Sequence, residues 1–162
     1  NRYQSYLSNA VTIIGTYKKD KPFSYHIKDF FSGQKKFGSR DRKQIASLCY
    51  YYFRVVHAFP ALPVDEVIRR GIFLCEEQSS ELLGTLQPEW NEKAGYSPDE
   101  KLKWLGISAD DLFPFKESLS KELDPAKFSL SFLQQPDLFI RVRPARVQQV
   151  MQKLNASSIL VK

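Results

Sequence analysis

Apolar residues recur at intervals of three and four along most of the chain, as they do in helices that pack one face against a core. The longest such pattern begins after Gly38 and predicts a long helix that Pro60 and Pro63 bring to an end. Ser39 is its expected N-cap, and Asp41 in the first turn suits the positive end of the helix dipole. Its predicted core positions are Ile45, Leu48, Cys49, Tyr52, Val56 and Phe59.

Shorter helices are predicted on both sides of the long one. Ser97, Pro98 and Glu100 form a typical helix start, with a capping residue, a proline in the first turn and a capping-box carboxylate. The predicted helices cover residues 1–17, 23–31, a stretch from 64, 79–86, and short stretches from 97 and 108, and a further turn is predicted to begin at residue 124. The sequence therefore predicts a mainly α protein built as a helical bundle.

The pattern changes after residue 134. Residues 138–144 alternate apolar and basic side chains, which is typical of a half-buried strand, and residues 145–154 return to helical spacing. Residues 157–162 are predicted to form a second strand. We therefore expect a helical domain over residues 1–125 and a short, truncated strand–helix–strand unit over residues 126–162.

Behind its core positions, the long helix gathers cations and tyrosines on one face. These residues are Arg40, Lys43, Ser47, Tyr50, Tyr51 and Arg54. The pattern alone fits two interpretations. One is an ordinary solvated helix face. The other is a phosphate-binding surface, in which Lys and Arg neutralise phosphates and an exposed tyrosine stacks on an unpaired base.

The charge is distributed unevenly along the chain, and this distribution matters more than the net charge of +6. Residues 1–70 contain 13 Lys/Arg against 5 Asp/Glu, residues 71–137 contain 6 against 13, and residues 138–162 contain 5 against none. Two basic blocks around an acidic middle predict a surface with a positive side that attracts polyanions. No apolar run approaches the roughly 20 residues that a membrane span needs.

The sequence offers little for metal or disulfide chemistry. Cys49 and Cys75 are too few and too far apart for a disulfide framework or a paired-cysteine metal site. We expect both to be buried, reduced thiols in a cytoplasmic protein. His26 and His57 are isolated from any second ligand at metal spacing, so we expect no metal site.

Two stretches resemble one family. Residues 37–43 (FGSRDRK), continued by residues 45–46 and 50–54, resemble a segment of the Sun/Fmu-type ribosomal RNA cytosine-5 methyltransferases. Residues 135–143 (QPDLFIRVR) resemble the strand-forming segment that opens their methyltransferase module. The resemblance implies a helical domain similar to the antitermination factor NusB, followed by the start of a small RNA-binding subdomain. Departures at Tyr51 and Arg143 mark a divergent branch.

The resemblance also implies a function. Catalysis in the family uses a nucleophilic cysteine, a second cysteine that follows a proline, and a glycine-rich loop that binds S-adenosylmethionine. Residues 1–162 contain neither cysteine motif and no glycine-rich loop. We therefore expect no catalytic, cofactor or metal residue here, and a catalytic domain that follows Lys162. This region would bind ribosomal RNA and position it for that domain.

The expected RNA contacts follow from the basic stretches. Phosphate contacts are expected from Lys35, Lys36, Arg40, Lys43 and Arg54, with Tyr50 or Tyr51 stacking, and from a second strip of Arg141, Arg143 and Arg146. Arg42 lies nearer the core and either contacts RNA or pairs with Asp41 or a helix end. Two alternatives stay open: a helical protein-interaction module, and a self-contained antitermination-like factor whose last strands are complete.

Overall fold

The protein is mainly helical, as the sequence predicts. The computed structural model describes residues 1–135 and 139–157, and the described chain is a succession of α-helices joined by short turns. The helices are α1 Arg2–Gly15, α2 Phe23–Ser32, α3 Ser39–Val55, α4 Val64–Cys75, α5 Glu81–Leu86, α6 Pro88–Asn91, α7 Pro98–Trp104, α8 Ala109–Leu112, α9 Pro125–Ser131 and α10 Val147–Ala156. Single 3₁₀ turns occupy Val56–Ala58, Lys116–Ser118 and Pro144–Arg146.

Polar side chains cap the starts of several of these helices. The Ser97 hydroxyl accepts from the Glu100 amide at 3.3 Å, and the Glu100 carboxylate accepts from the Ser97 amide at 2.8 Å, which completes the predicted capping box. The Asp124 carboxylate accepts from the amides of Ala126 and Lys127 and caps α9 in the same manner. These local bonds explain why such short helices begin at defined residues.

The start of α3 differs from the prediction by one residue. Gly38 is the N-cap, and Ser39 is already the first helical residue. The Asp41 carboxylate accepts from the Gly38 amide at 3.0 Å and also accepts from the Tyr6 hydroxyl of α1. The Asp41 carboxylate therefore fixes the backbone at the helix entrance and ties α1 to α3 at this end.

The buried side chains form two clusters. The larger one joins α1, α2, α3, α4 and α5 around side chains such as Ile13, Leu48 and Phe73, each with no exposed surface. The smaller one joins the end of α3 to α4, α7 and α8, and reaches Leu133 after α9. Only α3 and α4 place buried residues in both clusters, so this pair forms the common wall of the described fold. The division expected at residue 125 stays a prediction.

Helices α3 and α4 pack closely enough for their backbones to touch. A Cβ atom added at Gly71 of α4 would lie 2.6 Å from the Tyr51 carbonyl oxygen of α3. Any side chain at this position would clash with backbone, which cannot rotate away. The glycine therefore sets the distance between the two helices and the position of Tyr51.

The strand predicted for residues 138–144 is not present in its described part. Residues 139–143 have no regular structure, and Pro144–Arg146 is a 3₁₀ turn that leads into α10. Phe139 is 91% exposed and Ile140 is 57% exposed, while Val142 is half-buried, so the alternating segment does not pack one apolar face into a core of the described residues. A strand also needs a neighbouring strand for its backbone hydrogen bonds, and the described residues contain none. The second predicted strand, apart from Ser157, lies outside the described residues.

Candidate nucleic-acid interface

The face of α3 opposite the core carries the cations and tyrosines that the sequence singles out. Arg40, Lys43 and Tyr50 are exposed, whereas Ser47 and Arg54 are half-buried. Their spacing alternates between three and four residues, which places them along one side of the helix. From Arg40 to Arg54 this side extends about 21 Å at 1.5 Å per residue. We call Arg40, Lys43, Tyr50 and Arg54 the outer stripe.

The cations of the outer stripe differ from those of α4 in their partners. On α4, Arg69 lies within 4.0 Å of Asp65 and 3.8 Å of Glu66, and Arg70 forms a salt bridge with Glu66. Within the part of the chain that the structure describes, neither Arg40 nor Lys43 forms a salt bridge. These two charges therefore remain available to an anion from outside the chain.

The loop before α3 extends the positive surface. Lys35 and Lys36 are exposed in this loop, and the Lys36 ammonium lies 5.0 Å from the centre of the Phe37 ring. The Phe37 side chain is buried and anchors the loop in the larger cluster. Both lysines therefore lie shortly before the N-terminus of α3, which is the positive end of the helix dipole and favours an anion.

Arg42 makes contacts within the fold. Its Nε donates to the Phe37 carbonyl at 2.9 Å, and its guanidinium lies 5.7 Å from the centre of the Phe31 ring. The side chain is half-buried and links α3 to the end of α2 and to the loop between them. Of the two roles left open by the sequence, these contacts favour the structural one.

A cavity opens beside the C-terminal half of the outer stripe, between α3 and the end of α4. Its volume is about 330 Å³. It is lined by Ser47, Tyr50, Tyr51, Arg54, Cys75 and Gln135. We call it the Tyr50 pocket. The Arg54 guanidinium donates to Gln135 Oε1 at 2.8 Å, which holds that guanidinium at the pocket edge.

Tyr50 and Tyr51 play different parts in the pocket. The Tyr51 hydroxyl donates to Glu76 Oε1 at 2.7 Å, and burial raises the pKa of this phenol, with the hydrogen bond to Glu76 adding to the effect. Tyr51 is thus fixed as part of the wall. The Tyr50 side chain is 45% exposed. Of the two tyrosines predicted for stacking, only Tyr50 has a ring accessible from solvent to this extent.

The far side of the pocket is acidic. An adjoining hollow shares Tyr51, Cys75 and Gln135 with the pocket and is also lined by Glu76 and Glu77. The local field therefore changes from positive on α3 to negative at the end of α4. An anion is favoured on the α3 side alone.

Lys101 is a buried charged residue that sequence reasoning missed. Its side chain is 2% exposed, and its ammonium donates to the Glu76 carbonyl at the C-terminal cap of α4. Burial lowers the pKa of Lys101. A cation at this end of a helix is stabilised by the dipole and by the free carbonyls. No local sequence pattern predicts this contact, because it joins two residues that are 25 positions apart.

The second predicted strip lies in the segment that leads into α10. Arg141, Arg143 and Arg146 are exposed, and the Arg146 amide donates to the Arg143 carbonyl at 2.8 Å in the turn before α10. Because the segment is not a strand, Arg141 and Arg143 do not share a strand face. Among the described residues, no salt bridge or side-chain hydrogen bond joins these arginines to α3.

In the described chain, the two cysteines are free thiols and the two histidines contact other residues of the fold. Cys49 and Cys75 are free thiols, and burial raises the pKa of Cys49 to about 12 and that of Cys75 to about 11. His26 Nε2 lies 2.9 Å from the Ile13 carbonyl, and the His57 ring packs edge-on against Phe115 at 5.3 Å. The described residues contain no cluster of three His, Cys, Asp or Glu that could hold a metal ion.

Comparison with known proteins adds no relative. No protein-family model matches this chain, and neither a curated protein nor a solved structure matches it. None of the helices in the described ranges combines the length and the apolar composition that a membrane crossing requires.

Proposed function

We propose that this chain is an RNA-binding region and that the outer stripe of α3 is its phosphate-binding surface. The proposal rests mainly on Arg40 and Lys43. Both side chains are exposed on one face of α3, and neither forms a salt bridge with a described residue. By contrast, the half-buried cations of α4, Arg69 and Arg70, lie beside carboxylates of their own helix. Cations left without carboxylates suit a phosphate backbone.

The proposal extends to a larger protein through the resemblance of residues 37–43 and 135–143. On this reading the chain is the N-terminal region of an S-adenosylmethionine-dependent ribosomal RNA cytosine-5 methyltransferase. It holds the RNA for a catalytic domain that supplies the cysteine nucleophile and the cofactor site. The helical fold supports this at the level of fold class only, because the predicted strand–helix–strand unit is absent from the described part of residues 126–162.

The test is binding to a ribosomal RNA stem-loop, measured by fluorescence anisotropy over a range of salt concentrations. A stripe variant carries Arg40→Ala and Lys43→Ala in the outer stripe, together with Lys35→Ala in the loop before α3. A matched control carries Lys103→Ala, Lys121→Ala and Lys127→Ala, which removes the same charge from exposed positions on α7, before α9 and on α9. Both variants keep the buried residues unchanged, so circular dichroism should show the same helix content and melting.

Phosphate contacts predict a specific result. Each contact contributes about 0.7–0.9 to the slope of log affinity against log salt, so the stripe variant should lower that slope by about 2–3. The control should lower it much less. Equal slopes for the two variants would contradict the assignment of phosphate contacts to the outer stripe and the loop before it. Absence of binding by the wild type at low salt would contradict RNA binding by this chain.

A different observation favours the second candidate function, a helical protein-interaction module. Several large apolar side chains are exposed in the C-terminal part of the described chain. They include Phe139 at 91%, Ile140 at 57%, Val147 at 45% and Met151 at 36% exposure. Surface of this kind is typical of contacts with another protein or domain. The same binding experiment separates the two functions, because a purely apolar contact gives no salt-sensitive affinity for RNA.

A further inference from the structure

The Tyr50 pocket lies at the end of the outer stripe and combines an aromatic ring, a cation and an amide in one cavity. We infer that it holds a single unpaired nucleotide of the RNA, with the base on the Tyr50 ring and the phosphate at Arg54. This inference rests on the proposed function and adds a substrate class to it: RNA with an unstacked nucleotide, rather than continuous duplex.

The pocket size suits one nucleotide. A volume of about 330 Å³ is near the lower end of the roughly 300–1,000 Å³ found for small-molecule pockets. A base pair within a stem is stacked on both sides and cannot enter such a space. A nucleotide from a loop or bulge can be turned out of its stack and can enter it.

The Tyr50 ring is held in place from behind. The Phe23 ring packs edge-on against it with centroids 5.9 Å apart, and the Phe53 ring packs against Phe23 at 4.6 Å. The ring therefore needs little ordering when a base arrives, although 45% of the side chain remains exposed. A pre-ordered, exposed aromatic ring is the usual platform for an unpaired base.

The polar groups around the ring offer both donors and acceptors. The Ser47 hydroxyl donates to the Lys43 carbonyl at 3.0 Å, so its oxygen lone pairs remain available to accept. Gln135 Oε1 accepts from Arg54, and the amide NH₂ of Gln135 donates to none of residues 1–135 and 139–157, so it is available to a ligand. The edge of a nucleobase carries both kinds of group, and a purely apolar ligand would leave these pocket groups unpaired.

The electrostatics fix the direction of the nucleotide. Arg54 stands on the α3 side, in line with Lys43 and Arg40, whereas Glu76 and Glu77 line the adjoining hollow on the other side. A phosphate is attracted to the first side and repelled by the second. The backbone therefore follows the outer stripe, and the base enters the pocket toward the end of α4.

The experiment compares two RNA probes, a single-stranded uridine oligonucleotide and a blunt-ended RNA duplex with the same number of phosphates. Each is measured against wild type, Tyr50→Leu, Tyr50→Phe and Ser47→Leu. Tyr50→Leu removes the ring, Tyr50→Phe keeps it, and Ser47→Leu fills the pocket while losing only a bond within its own helix. The helix content and melting of each variant are checked by circular dichroism. Should Tyr50→Leu fail to fold, Ser47→Leu decides the comparison.

The wild type is expected to prefer the single strand. Tyr50→Leu and Ser47→Leu should weaken single-strand binding about 5- to 150-fold, the change that corresponds to ~1–3 kcal/mol per stacked base. They should leave duplex binding unchanged, and Tyr50→Phe should behave like the wild type. Salt-sensitive binding that is equal for both probes, or unaffected by both leucine variants, would overturn the pocket assignment and leave the proposed function standing. Absence of salt-sensitive binding to either probe would overturn both.

Discussion

Replacing Gly71 by alanine perturbs the contact that positions Tyr51 and, through it, the wall of the Tyr50 pocket. The added Cβ would meet the Tyr51 carbonyl oxygen at 2.6 Å and the carbonyl carbon at 2.9 Å. Both atoms belong to the backbone of α3, which is held by its own helical hydrogen bonds. The clash can therefore be relieved only if α3 and α4 move apart.

The expected magnitude follows from two opposing effects. Overfilling a packed core costs about 1–3 kcal/mol, and a clash with backbone belongs at the upper end of that range. Alanine is favoured over glycine within a helix by about 1 kcal/mol. The balance predicts that Gly71→Ala lowers the free energy of unfolding by about 2 kcal/mol, a large share of the roughly 5–15 kcal/mol that stabilises a domain.

Urea denaturation followed by circular dichroism measures this change, with Gly15→Ala as the matched control. Gly15 lies at the end of α1, and a Cβ there would have no neighbour within 4 Å. The control variant should be as stable as the wild type or more stable, by up to about 1 kcal/mol. The reasoning is wrong if Gly71→Ala matches the control, because the close approach of the two helices would then impose no cost.

Two further predictions concern charged groups in the fold. The hydrogen bond from Tyr6 lowers the pKa of Asp41, so Asp41 contributes stability above its ordinary pKa of about 3.9 and loses it as pH falls further. Tyr6→Phe should therefore melt below wild type at neutral pH, by a margin that narrows in acid; a constant margin would refute the link. Lys101→Met leaves the Glu76 carbonyl without this donor and should cost about 1–3 kcal/mol by urea denaturation at neutral pH. Burial lowers the pKa of Lys101, so the advantage of wild type should grow as pH rises toward about 10.4; a shrinking advantage would contradict the effect of burial.

Local sequence signals predicted the helices well, because the forces that start and orient a helix act within a few residues. The capping box at Ser97 and Glu100 needs only three-residue spacing, and the structure confirms it. The buried positions Ile45, Leu48 and Cys49 likewise follow from helical periodicity alone. The N-cap of α3 is Gly38 and not Ser39, and the contact that fixes this start is the bond from the Gly38 amide to the Asp41 carboxylate in the first turn.

The strand prediction failed because alternation is a weaker signal than helical periodicity. An alternating segment becomes a strand only when a neighbouring strand and a core face are present, and both are properties of the tertiary structure. Residues 139–143 have no neighbouring strand among the described residues, and of their apolar side chains Phe139 and Ile140 are exposed and Val142 is half-buried. The segment instead leads through a turn starting at Pro144 into α10, whose periodicity the sequence did reveal.

In the candidate site too, helical spacing predicts which residues share a face of α3, whereas their contacts with other segments depend on the tertiary structure. The sequence placed Tyr50 and Tyr51 together on the outer face, yet the end of α4 separates their roles, because Glu76 fixes Tyr51 and leaves Tyr50 accessible. Gln135 enters the pocket from a segment 81 residues after its partner Arg54, which no spacing rule could anticipate. The residues of the outer stripe can thus be predicted from one helix, whereas the pocket forms where α3, the end of α4 and Gln135 come together. A variant that separates these helices should therefore weaken binding of an unpaired nucleotide before it weakens binding of phosphates along Arg40 and Lys43.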